Sequence, residues 1–580
     1  MSENRLRGTV VFLQAKKQTE KSMENNKNMN PIFSLKNFRS FGEDGADFEL
    51  APITVLTGCN SAGKSSLVKA LMLLSQATET MTGEFDEPFS IPIENLRGVD
   101  LLVSSKDLCL GNYAKILNKK SKDGLIELSY DVWSSLLKEK MHIIRIYKED
   151  TIDTLQNGQL VGLKMLKADG TLIYGKGLGI TNLKKQLLRE DECFNRDCLQ
   201  DALIKIDVLS EYYIKRGKYD EAKDRLELLQ KNQERYKELD NYDEIKHDIQ
   251  KDHDVAKLAF EEVQKRVEES NISKEDIAEI EKNYLIEKEN YCSLLNMDIY
   301  RKWHSRKNKN SLSGNYGIEN RGFSINDEIF LNMLAEETLY PQFIKDIKYV
   351  SSSSAMISRL YSVDDKDKLN TALKFFLQRK KGFKNGRPDI SDIDWIFPGQ
   401  FISRWIKKFG VGDKIEIVGT DEGLGVMIYL YKNGQKSLLA DEGYGITQLF
   451  SSLLHIDNMM LEHDRPYFIC VEEPEIHLHP KYQSLLAEMF VEAYQKYNIH
   501  FIIETHSEYL IRKLQVMVAD KENALSPNDV SLNYVEKDED GVSHNRQIRI
   551  QDNGRLDGSF GEGFYDEAGG LSRQLFMLND

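Results

Sequence analysis

One short segment, Gly58-Cys-Asn-Ser-Ala-Gly63-Lys64-Ser65, constrains the fold of this chain more than anything else in its 580 residues. It follows ITVLT, an apolar run that reads as a buried strand. It precedes SSLVKALMLLSQ, whose apolar spacing predicts a helix. Two glycines let backbone N–H groups wrap an anion at the N-terminus of that helix. Lys64 is placed to reach terminal phosphate oxygens, and Ser65 to offer its hydroxyl to magnesium. Asn60, Ser61, Ala62, Gly63 and Ser66 complete the candidate cradle. A loop of this kind works between a strand and a helix, so the fold around it is expected to be α/β.

Two further apolar runs end in chemistry-bearing residues. YFICVEE closes on Glu472 and Glu473, the arrangement of a Walker B strand. Its first carboxylate would orient magnesium and its waters, and its second would polarise an attacking water. IHFIIETH closes on Thr505 and His506. A lone histidine is more often structural, but one at the C-terminal end of a strand beside Walker B can sense a terminal phosphate.

Strands and helices alternate on either side of the middle of the chain. FSLKNFRSF, ITVLTG, GLIELSYDVW and MHIIRIYK read as strands before it; KIEIVG, LGVMIYLYK, YFICVEE, IHFIIETH and VSLNYVEK read as strands after it. Pro31 and Pro52 bracket an opening β-hairpin, and after Pro92 no proline occurs until Pro341. Inside that gap, residues 181–300 are nearly glycine-free and almost half charged. Apolar residues recur there at helical spacing: Val255, Leu258, Ala259, Val263 and Val267, then Ile277, Ile280 and Tyr284. Two arrangements stay open, an antiparallel hairpin or short coiled coil projecting from the rest, and a helical subdomain packed against it. The expected organisation is a flexible leader at 1–30, an N-terminal lobe at 31–180, a helical insertion at 181–310, a C-terminal lobe at 311–525 and a closing segment at 526–580.

Composition narrows the partners. A net charge of -15 argues against a surface that attracts nucleic acid as a whole, so DNA or RNA contact needs a local patch. RKWHSRKNKN (301–310) and LKFFLQRKKGFKNGR (373–387) combine Lys and Arg with Trp303, Phe375, Phe376 and Phe383. Base stacking over phosphate contacts fits them, and so do solvated loops over core aromatics. No run approaches the roughly 20 apolar residues of a membrane helix, and the N-terminus lacks a signal-peptide core. Six scattered cysteines form no disulfide framework, which points to a reducing cytoplasm. Cys193 and Cys198 resemble half of a zinc site, but no second pair follows.

Five segments occur in a fixed order: LKNFRSF, GCNSAGKSS, ADEGYGITQLFSSLL, VEEPEIHLHP and IIETHSEYLI. With these the chain resembles the RecF/SMC/OLD-like ATPases, an ABC-type AAA family, and looks most like their smaller members in bacterial anti-phage defence loci. The likeness runs from 33 to about 515 apart from the helical insert, and DNGRLDGSFGEGFYDE is similar to a segment closing many such chains. The resemblance implies a P-loop head of ABC/SMC type, a mixed sheet with flanking helices, interrupted by the insertion. It also implies ATP and Mg2+ as ligands, ATP hydrolysis with Glu473 as base, and a homodimer or higher homo-oligomer closing through the ATP sites. Glu472, the magnesium carboxylate, stands where such proteins usually carry Asp. Arg39 would approach the nucleotide. Gly443 and Gly445, in place of the LSGGQ form, would offer a helix N-terminus to the γ-phosphate held by the other copy. Pro474 to Pro480 would cross the dimer interface, where His477 and His479 also admit a metal reading. No Q-loop glutamine stands out; Gln76, or the turn at Gly111 and Asn112, would serve.

OLD-type nucleases carry an acidic toprim domain after the switch histidine. Nothing after His506 has that domain's spaced carboxylates, so no nuclease is expected in this chain. The analogy with Septu- and PARIS-type ATPase subunits implies instead a separately encoded nuclease or toxin under ATP control. The alternative is a RecF-like repair or recombination ATPase that loads partners on DNA and carries no toxic cargo.

Overall fold

The computed structural model describes residues 30–82, most of 100–231, 242–269 and most of 334–579. β1 (Ile32–Lys36) and β2 (Ala46–Glu49) form the expected hairpin, with Phe33 opposite Phe48. β3 (Ile53–Gly58), every residue buried, leads through the glycine loop into α1 (Ser65–Thr82). A short helix, α2 (Tyr113–Ile116), precedes a meander of β4 (Ile126–Ser134), β5 (Glu139–Glu149), β6 (Gly158–Lys167) and β7 (Leu172–Gly177). β8 (Leu187–Arg189) and β9 (Glu192–Phe194) extend it into an eight-stranded sheet in the order β2-β1-β4-β5-β6-β7-β9-β8. Burial alternates along β1 and through the middle of β5, as it does in an antiparallel sheet with one face on a core. Strand pairing continues to Phe194, so the helical stretch begins at Gln200 and not at the 181 suggested by charge density.

α3 (Gln200–Lys231) and α4 (Tyr242–Glu269) form an antiparallel hairpin. Glu211 pairs with Arg266, Tyr212 lies 5.3 Å from Phe260, and Tyr219 lies 5.5 Å from His253, so rising numbers on one helix meet falling numbers on the other. Val263 and Val267 are buried in the seam, which steps by three and four residues from Phe260. Val255 and Leu258, expected on the same stripe, are 60% and 67% exposed on the outer face. The two helices pack chiefly on one another. The helical positions Ile277, Ile280 and Tyr284, the leader before Asn30, and the basic segment 301–310 lie outside the described residues.

The chain returns through α5 (Gln342–Lys345) and β10 (Ile347–Val350), followed by β11 (Tyr361–Ser362) and α6 (Lys368–Lys381). The short pair β12 (Phe383–Lys384) and β13 (Arg387–Pro388) precedes α7 (Gln400–Phe409). β14 (Lys414–Gly419), β15 (Gly425–Lys432) and β16 (Gln435–Leu438) join β11 in a small antiparallel sheet. Then come α8 (Tyr444–Met459), β17 (Tyr467–Glu472), α9 (Pro480–Tyr497), β18 (Ile499–Glu504) and α10 (Glu508–Ala519). β19 (Val530–Lys537), β20 (Ser543–Ile548) and α11 (Glu567–Asn579) close the chain.

The central sheet has the order β10-β17-β18-β3-β19-β20, parallel throughout except for the β19–β20 hairpin. Successive side chains of a strand face opposite ways. Ile53, Val55, Ile469, Val471, Phe501 and Ile503 therefore enter one core, built with α6 to α10. Leu56, Phe468, Cys470 and Ile502 enter the other, shared with α1 and the eight-stranded sheet. Burial on both faces explains why these strands read as unbroken apolar runs. Segment 373–387 is partly core as well: Leu373, Phe376 and Leu377 are buried, and Arg379 pairs with Asp457 of α8, while Phe375 faces out. Among the described residues no helix is long and apolar enough to cross a membrane.

Candidate functional site

The loop from Gly58 to Ser65 is shaped by its glycines. Gly58 and Gly63 take φ values of 136° and 111°, and Ser61 takes 61°. A Cβ on Gly58 would fall 2.0 Å from the Val535 carbonyl oxygen, and one on Gly63 would fall 2.6 Å from Ser40 Oγ. Neither position tolerates a side chain. Cys59, Asn60 and Ser61 are exposed at the tip, and Ala62 and Ser66 are buried beneath it. Lys64, 4% exposed, donates to the carbonyls of Gly58 (3.1 Å) and Cys59 (3.0 Å). Burial lowers its pKa, against the pull of Glu504, Glu473 and Glu475. From β20, the Ser543 hydroxyl donates to the Ala62 carbonyl and its N–H to Ser40 O, so the closing segment braces the loop. Nothing local in the sequence marks that contact.

β17 and β18 run parallel with Glu472 level with Glu504, and Glu504 is level with Leu56 of β3. The three strand ends therefore deliver two carboxylates beside the start of α1. Ser65 Oγ donates to Glu504 Oε1 at 2.9 Å. Glu504 is 6% exposed, and burial raises its pKa, with Glu472 adding to the rise. The Tyr349 hydroxyl lies near Glu472, and its pKa is pushed up by burial and then by that carboxylate. Glu473 turns out of the strand with φ 44°, its N–H donating to Glu504 O at 2.7 Å. His506 Nε2 lies 3.8 Å from Glu473 Oε1. Burial lowers the His506 pKa and Lys64 lowers it further, while Glu473 opposes. Glu504 and Tyr349 were missed by sequence reasoning. The signal for Glu504 was present, since IHFIIE ends in a carboxylate as YFICVE does.

Behind these residues, buried Glu475 accepts from the His506 N–H at 2.6 Å, which ties the loop after β17 to the end of β18. Burial raises the Glu475 pKa. The same loop reaches α8: a Cβ on Gly445 would meet the His477 carbonyl at 2.7 Å, and the Tyr444 and His477 rings lie 5.0 Å apart. Gly443 caps α8 with no side-chain hydrogen bond and is open to solvent. His479 caps α9 through its ring, accepting from the Lys481 N–H. Arg39, with φ 55°, is held by the Ile116 carbonyl and by the Asn118 side chain. Burial lowers the pKa of Lys69 and nearby Arg39 lowers it further, against Glu472 and Glu504. Asn112 caps α2, the helix that supplies Ile116, and Gln76 lies on α1.

Ser65, Glu472 and Glu504 offer only oxygen donors, which suits magnesium, and one buried Glu504 oxygen, Oε2, has no hydrogen-bond partner among the described residues. Those residues contain no cluster of three His, Cys, Asp or Glu that could cage a metal unaided. Magnesium bound with phosphate oxygens and waters needs no such cage. A glycine loop with a buried lysine, opening a helix beside two acid-tipped parallel strands, defines a P-loop ATPase of mixed α/β sheets with flanking helices.

Residues 32–511 match the family described as AAA ATPase domain, and the chain belongs to it. Residues 525–575 match a second family, described as a protein of unknown function, DUF3696. No curated protein matches the chain. Similar solved structures include an Smc head domain with an extended coiled coil, bound to the C-terminal domain of ScpA, from Pyrococcus furiosus; at 11% identity the match covers 94% of this chain and 99% of that one, with a TM-score of 0.34. An SmcHead bound to the C-winged helix domain of ScpA matches at 11% identity over 90% and 97%, TM-score 0.38. An Smc head with a coiled coil and joint from Pyrococcus yayanosii matches at 13% over 90% and 97%, TM-score 0.34.

Proposed function

We propose that this AAA ATPase binds ATP with magnesium at Gly58–Ser66 and hydrolyses it between two copies of the chain. In this reading the ATP cycle controls a separately encoded nuclease or toxin in an anti-phage system. The observation that carries the nucleotide part is the convergence of buried Lys64 with Glu472, Glu473 and Glu504 at the aligned ends of neighbouring parallel strands. Lys64 exchanges its two loop carbonyls for β/γ-phosphate oxygens. Magnesium, when bound, neutralises developing phosphate charge, and Ser65, Glu472 and Glu504 are the residues that would hold it. Glu473 accepts the proton of the attacking water as the bond to the γ-phosphorus forms and the β–γ bridge breaks. His506, beside Glu473, presents an N–H to the γ-phosphate. Arg39 supplies further positive charge from the β1–β2 side.

The exposed N-terminus of α8 at Gly443 supports a composite site. Its free N–H groups are suited to the γ-phosphate of a second copy, and its packing on His477 links that contact to the loop from Glu473. The effector part rests on the likeness to defence ATPases and on the α3–α4 hairpin, which contributes no residue to the site.

Glu473→Gln keeps the shape and loses the base. ATP turnover is expected to fall at least about 100-fold with ATP binding intact, and light scattering should show a dimer that persists with ATP. Turnover that survives this change but is lost in Glu472→Gln reverses the roles of the two carboxylates.

A further inference from the structure

We infer that Glu504, rather than Glu472, is the positioning carboxylate that fixes the Ser65 hydroxyl and the waters of the magnesium ion. This rests on the ATP–magnesium reading above. Cys470 and Ile502 face the core that contains α1. Two residues further along their strands, Glu472 and Glu504 leave the sheet on that same face. Only one of the two engages the loop in the contacts observed. Glu504 Oε1 accepts a hydrogen bond from the Ser65 hydroxyl at 2.9 Å, whereas the Glu472 side chain makes no hydrogen bond to the loop among the described residues and lies near the Tyr349 hydroxyl. A hydroxyl that gives its proton to Glu504 keeps its lone pairs for a cation. The second Glu504 oxygen, in a side chain 6% exposed, has no partner among the described residues. A buried carboxylate oxygen without a donor is costly unless a ligand supplies one, and a metal-bound water is such a donor.

The arrangement divides the work between two strands. β17 supplies the base, Glu473, while β18 supplies both the metal-orienting carboxylate and, two residues on, His506. One strand end then reports on magnesium and the γ-phosphate together.

The test titrates magnesium against a fluorescent ATP analogue and reads the magnesium concentration that gives half-maximal binding. Wild type, Glu504→Gln, Glu504→Asp and Glu472→Gln are compared after thermal melts show that each is folded. Glu504→Gln should need roughly 10–100-fold more magnesium, while binding of the analogue in EDTA stays unchanged. Glu504→Asp should recover part of the loss, and Glu472→Gln should shift less than Glu504→Gln. If Glu504→Gln fails to fold, Glu504→Asp carries the comparison with Glu472→Gln in the same direction. A Glu504 midpoint within about twofold of wild type, or a shift no larger than that of Glu472→Gln, overturns the inference and leaves the ATP reading standing. A wild-type chain that binds no nucleotide at any magnesium concentration overturns the ATP reading itself.

Discussion

The central sheet and the α3–α4 hairpin solve the burial problem in opposite ways. β3, β17 and β18 bury almost every residue on both faces; β17 and β18 end in Glu472 and Glu504, and β3 runs into the glycine loop that carries Lys64. The hairpin buries one narrow seam and leaves Leu228, Val255 and Leu258 in solvent. Strand register holds Glu472 and Glu504 in place, while the Lys64 loop is held by its glycines and by the brace from Ser543. The hairpin has no comparable constraint. It contributes surface, and surface can change without disturbing the site.

The largest effect that can test this contrast comes from Lys64. Lys64→Ala removes the buried ammonium at the centre of the site, and turnover should fall at least about 100-fold with weakened ATP binding. Turnover equal to wild type in a phosphate-release assay would place the reaction elsewhere in the molecule.

Packing gives the next step down. Trp405 is fully buried on α7, between Phe401 and Phe409, with the Lys408 ammonium over its ring. Trp405→Ala should cost about 3–5 kcal/mol in urea unfolding. Leu258→Ala, on the outer face of the hairpin, should stay within about 0.5 kcal/mol. Comparable losses would mean that the outer face of the hairpin is covered, and the contrast would fail.

The same contrast governs what could be read from sequence. β3, β17, β18 and β19 of the central sheet were legible because burial leaves unbroken apolar runs, whereas the edge strands β10 and β20 were missed; the glycine loop was legible because Gly58 and Gly63 have no room for a Cβ. β6 and β7 were missed: Gly162 and Gly175 interrupt their apolar pattern, and Gly177 ends β7 at φ 72°. The hairpin was legible as helix, yet Val255 and Leu258 suggested the wrong seam. Spacing identifies a helix but does not say which apolar stripe a partner covers. The carboxylate of Glu504 at the end of IHFIIE was visible in the sequence, but what it stands beside was not. Its role depends on standing level with Glu472 across two strands, and register between distant segments is a property of the folded sheet. The brace from Ser543 to the loop is of the same kind.

The smallest effect on the site should come from the hairpin itself. Glu211 and Arg266 are ion-paired across it, so residues 212–265 can be replaced by a short Gly-Ser turn without stretching either end. No described residue between them supports Lys64, Glu473 or Glu504, and ATP affinity should remain within about twofold of wild type. If the hairpin is the surface that an effector or trigger reads, the shortened chain should hydrolyse ATP yet no longer control the second polypeptide, measured as growth of cells carrying both. Loss of ATP binding in a soluble shortened chain would show that the hairpin braces the head, and the division between site and surface would be wrong. Full control of the effector by the shortened chain would move the docking surface elsewhere while leaving the nucleotide site as described. The experiment therefore separates bracing from recognition, because bracing must weaken nucleotide affinity and recognition need not.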